Sequence, residues 1–108
     1  MLWWAGCPSA DEAIETVREE MSAAGLEAEE LEVREVRTDD DAERERFIGS
    51  PTIRVDGRDV RDPGAEPVGL TCRVYRLRDG RISALPDRAD IAAALAAAEG
   101  RPADDDRA

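Results

Sequence analysis

The chain has 108 residues, enough for one domain with a single core and too few for two, and its formal net charge of −11 sets 26 acidic residues against 15 basic ones, all of them arginine. That charge argues against nucleic acid or an anionic membrane surface as a partner, because both are polyanions. Histidine, lysine, asparagine and glutamine are absent, which excludes an imidazole base, a His metal ligand and a Cys–His dyad and leaves chemistry to thiols, carboxylates, hydroxyls and backbone groups.

Residues 1–5 form a short apolar run suited to a central strand covered on both faces. They are too few, and lack the basic flank, for a signal peptide or a membrane span, so a soluble cytoplasmic protein is the expectation. Gly6-Cys7-Pro8-Ser9 follows, and then a helix is predicted over 10–24, with apolar side chains at Ala10, Ile14, Val17, Met21 and Ala24 and Gly25 just past its end. Ser9 and Glu12 fit a capping box with Ser9 as N-cap; a second register puts Cys7 at the cap and Pro8 at the first helical position. Both bring Cys7 to a helix start, where unpaired N–H groups stabilise a thiolate, and this makes Cys7 the candidate nucleophile. Asp11, Glu12 and Glu15 crowd the same turns and should weaken that activation. The structural alternative is a plain strand-end cysteine.

A strand is predicted over 31–37, its charged residues suiting a sheet edge, and a short charged helix over 38–47 with aspartates in its first turn. Gly49-Ser50-Pro51-Thr52 then leads into a strand over 52–55, turned by Asp56-Gly57 into 58–60. A Pro- and Gly-rich loop occupies 61–71. Residues 72–77 are a further β-type run that opens with Cys72, turns at Asp79-Gly80 and returns through 81–84. The last helix spans 87–98, capped by Asp87, with Ile91, Leu95 and Ala98 facing inward and Gly100 as terminator. The domain therefore covers 1–100, and 101–108 read as a flexible acidic tail with little to bury. Trp3 and Trp4 are read as core, Arg54 and Arg73 as solvated strand-face residues, and the acidic clusters 39–41 and 104–106 as solvated charge.

The Cys7 stretch before a helix and the Ser50-Pro51-Thr52 stretch before a hairpin, together with a final helix, resemble the small single-domain thioredoxin and glutaredoxin families. The resemblance covers roughly residues 1–60 and the last helix. It implies an α/β thioredoxin-like fold: a mixed sheet with a βαβαββ core, here extended by the second hairpin and flanked by helices on both faces. It also implies a cis Ser50–Pro51 bond, with Ser50, Pro51 and Thr52 as substrate-binding residues and the backbone of Ser50 free to pair with a substrate chain. An ordinary trans proline opening an edge strand is the alternative. The family's Cys-x-x-Cys pair is broken, since Ala10 stands where its second cysteine would be.

In such a topology the loop after 58–60 begins near Cys7, so Cys72 could open its strand at the same end and serve as the resolving thiol. The alternative is a buried, unreactive Cys72. The segment 69–75 with Gly-Ser-Pro-Thr is also similar to small bacterial thioredoxin-fold proteins, some of them labelled alkylmercury-lyase-like. The leading expectation is a thiol protein exchanging disulfides with a protein or small-molecule partner, with no cofactor. A soft-metal site on Cys7 and Cys72, and a redox-inactive interaction domain, are the other two.

Overall fold

The computed structural model describes residues 1–99 and shows a small mixed α/β domain of three helices and short paired strands. In chain order these are β1 (Leu2–Trp3), α1 (Ala10–Ala23), a 3-10 turn (Ala28–Glu30), β2 (Arg34–Glu35), α2 (Asp39–Glu45), β3 (Arg54–Val55), β4 (Arg58–Asp59), β5 (Tyr75–Arg76), β6 (Ile82–Ser83) and α3 (Arg88–Glu99). Gly100 and the expected tail over 101–108 lie outside the described residues.

The expected single mixed sheet is not formed: the strands make three separate two-stranded sheets. β1 pairs with β2 in parallel, β3 with β4 and β5 with β6 antiparallel. Single bridges join the segments between them: Leu2 pairs with Thr52 antiparallel, and Ser50 with Cys72 in parallel. Pro51 interrupts the ladder in the middle because it has no N–H to donate, so the chain between the bridges is extended without forming a continuous strand.

Alternation along residues 1–4 divides the core into two. Met1 joins Ala13, Val17, Met21, Ile53, Ile91 and Leu95 beneath α1 and α3, with Trp3 packed against them. Leu2 faces the other way onto Val36, Ala42 and Phe47 beside α2, with Trp4 against that cluster. The period of two of an extended chain produces this split, and it places helices on both sides of β1. Each fully buried aliphatic side chain in these clusters contributes about 1.5–3 kcal/mol.

The helix ends follow local chemistry. At the end of α1 the Gly25 N–H reaches the Ser22 carbonyl and the Leu26 N–H reaches the Met21 carbonyl, the paired pattern of a Schellman stop. The Thr38 side chain caps α2 by accepting from the Asp41 N–H at 3.0 Å. Asp87 caps α3 through the Ala89 N–H at 2.9 Å, while its other oxygen takes the Arg78 N–H at 2.8 Å. The 3-10 turn, unanticipated from sequence, is held by a reciprocal Glu27–Glu30 box. No helix among the described residues is long and apolar enough to cross a membrane.

Candidate functional site

Ser9 takes the N-cap position of α1, which puts Cys7 two residues outside the helix, but the Ser9 side chain makes no capping bond. Its hydroxyl turns instead to the Cys7 sulfur, 3.3 Å away. The capping box read from Ser9 and Glu12 is therefore not formed, because the thiol competes for the same hydroxyl. A turn closes the loop from behind: the Cys7 N–H donates to the Trp4 carbonyl at 3.1 Å. Cys7 is buried, at 5% exposure.

Ser50 completes the pocket around that sulfur. Its hydroxyl accepts from the Trp4 N–H at 3.0 Å, and its carbonyl lies 3.5 Å from the Cys7 Sγ. The Ser50–Pro51 peptide bond is cis. Thr52 beyond it pairs both ways with Leu2, at 2.8 and 2.9 Å, and its hydroxyl donates to the Gly49 carbonyl at 2.6 Å. Tyr75 closes the far side by donating its phenol to the Pro51 carbonyl. Burial pushes that phenol well above its ordinary range, so it remains a donor at any working pH.

The backbone of Ser50 is not free, contrary to the expectation drawn from the family resemblance. Its N–H donates to the Thr71 carbonyl and its carbonyl accepts from the Arg73 N–H, each at 2.8 Å. The chain's own segment 71–73 thus occupies the edge on which a docked substrate strand was expected. That segment also carries Cys72 to the site.

Cys7 and Cys72 are both free thiols, Cys7 buried and Cys72 exposed, and they are neighbours. Burial pushes the Cys7 thiol up, but the Cys72 thiol within reach, the Ser9 hydroxyl and N–H, and Ser50 together outweigh it, so its pKa falls below the ordinary value. Cys72 moves the opposite way, raised first by donating to Cys7, then by slight desolvation and by charge on Cys7. Of the two sulfurs Cys7 is therefore the one that ionises first, with Cys72 keeping its proton longer. Asp11, Glu12 and Glu15, expected to oppose ionisation, are exposed to solvent.

Arg73 corrects the reading of a solvated strand-face residue. Its side chain is 6% exposed and pairs at 2.7 Å with Asp59, itself 9% exposed. It also donates to the Arg61 carbonyl at 2.8 Å and to the Thr52 hydroxyl at 3.4 Å, and its guanidinium lies 4.6 Å from the centre of the Tyr75 ring. A buried pair so fully hydrogen-bonded is expensive to break, by about 3–5 kcal/mol when one partner is removed. It ties the segment carrying Cys72 to β4 and to Thr52. Arg54 is half-buried and donates to the Glu45 and Arg46 carbonyls.

No cluster of three or more Cys, Asp or Glu residues suited to a metal ion occurs among the described residues. Comparison with protein-family models, with curated proteins and with solved structures gives no match. What can act chemically at this site is a pair of adjacent thiols of unequal acidity, set in hydroxyl and backbone groups.

Proposed function

We propose that this chain is a thioredoxin-like dithiol protein that exchanges disulfides with a protein or small-molecule partner through Cys7 and Cys72. The observation that carries the reading is the meeting of the two thiols across 65 residues of sequence with opposite shifts of acidity. Opposite shifts suit exchange: the sulfur that ionises readily is a good leaving group, and its neighbour holds the proton needed on release. The pairing of β1 with β2 and, through Leu2–Thr52, with the segment leading to β3 and β4 supports the thioredoxin-like arrangement. In this account Cys72 takes the place of the second cysteine absent at Ala10, reaching Cys7 from a different element.

The test is catalysed reduction of a small aromatic disulfide at the expense of a dithiol reductant. Wild-type protein should turn over, and both Cys7→Ser and Cys72→Ser should fall at least about tenfold toward background. Turnover unchanged in either variant overturns the proposal.

A further inference from the structure

The two sulfurs are not equally placed to meet a partner. Cys7 is 5% exposed, beneath Ser9 and Ser50, whereas Cys72 is exposed. Cys72 also forms part of the wall of an open cavity of about 530 Å³ with Pro63, Pro67, Val74 and Tyr75, and Cys7 does not line that cavity. Backbone geometry agrees. Thr71 and Arg73 spend their inward groups on Ser50, so the N–H and carbonyl of Cys72 point away from Ser50, along the outer edge of this bridged segment. Thiol–disulfide exchange depends on which sulfur an incoming sulfur can reach as much as on which one is ionised.

Resting on the dithiol reading above, we propose that Cys72 is the sulfur that meets the substrate and carries the mixed disulfide, and that Cys7 is the resolving sulfur. This inverts the order suggested by sequence, in which Cys7 attacks and Cys72 resolves. Cys72 first passes its proton to the Cys7 thiolate it faces. Its own thiolate attacks one sulfur of a substrate disulfide, a Cys72–substrate bond forms, the substrate S–S bond breaks, and the departing thiolate takes a proton from water. Cys7 then gives its proton to water and attacks the Cys72 sulfur, forming the Cys7–Cys72 disulfide and expelling the second substrate thiolate, which takes a proton from water in turn. The substrate gains two electrons and two protons, both electrons coming from the protein dithiol. Regeneration by an external thiol runs in reverse: its thiolate attacks Cys72 and displaces Cys7, whose charge is received by Ser9 and Ser50.

Glutathione disulfide is the probe for the forward step, acting on the full chain and on each single-cysteine variant, with the adduct located by peptide mass mapping. Cys7→Ser should accumulate a stable adduct on Cys72, at least about tenfold faster than Cys72→Ser acquires one on Cys7. Reduced glutathione added briefly to oxidised wild-type protein and quenched with acid tests the reverse step without any mutation, and should place the adduct on Cys72. An adduct on Cys7 in that wild-type experiment overturns the order of the two sulfurs while leaving dithiol exchange standing. Failure of wild-type protein to form an internal disulfide under glutathione disulfide overturns both.

Discussion

Cys7 owes its acidity to short-range donors, so its titration should respond to the loss of one of them. Between the lowered folded pKa and the ordinary unfolded value, the folded state binds fewer protons at Cys7, and stability there rises with pH and is lost as pH falls through the folded value. Cys72 contributes the opposite slope at alkaline pH, since its folded pKa is raised: its contribution is full below the unfolded value and lost as pH rises through the folded one. Thiolate absorbance of the native protein should show one group ionising below the ordinary thiol range and one above it. In Cys72→Ala the Cys7 titration should move upward, because the Cys72 donor is removed. Two thiols titrating together in the ordinary range, and no movement in the variant, would contradict the account. At this scale the sequence was partly legible. A cysteine between an apolar run and a helical pattern identifies Cys7, but only Ser9 among the groups that act on it is local; Ser50 and Cys72 lie far along the chain. Arg73 was misread because its run alternates against hydrophobicity: Arg73 and Tyr75 are buried while Val74 is 67% exposed. The available signal was the period of two, which sets Arg73 and Tyr75 on one face.

Among the elements, the segment from Gly49 to Thr52 carries the most constraint, held between β1 on one side and residues 71–73 on the other. Gly49 has φ +151, and a Cβ there would lie 2.9 Å from the backbone N and the Cβ of Arg73. Gly49→Ala should therefore cost about 1–3 kcal/mol from backbone conformation alone, with further loss as Arg73 is pushed from Asp59. Urea unfolding measures this, and a midpoint equal to wild type would show that the two segments are not held together as described. Helices and turns were the readable elements. The spacing over 10–24 and the Asp56-Gly57 pair, whose φ values of 51 and 81 are both positive, specify structure through local chemistry. The strands were overestimated in length: those predicted over 31–37 and 72–77 contain only two ladder residues each. Ladder length depends on partners distant in sequence, and here Pro51 and charged edge residues shorten it.

For the whole molecule, two cores on opposite sides of β1 hold the N-terminal strand and the Ser50–Thr52 segment together, and the buried Arg73–Asp59 pair adds the segment bearing Cys72. The arrangement brings thiols at positions 7 and 72 together, which no local pattern specifies; only a topology borrowed from a family resemblance suggested it. The most direct test is the intact mass of native protein under mild oxidation, before and after reductant, with the disulfide located by peptide mapping. Loss of two protons through a Cys7–Cys72 link, restored by the reductant, is the predicted result. Two thiols that stay free under the same oxidation would contradict the dithiol site at the centre of this account.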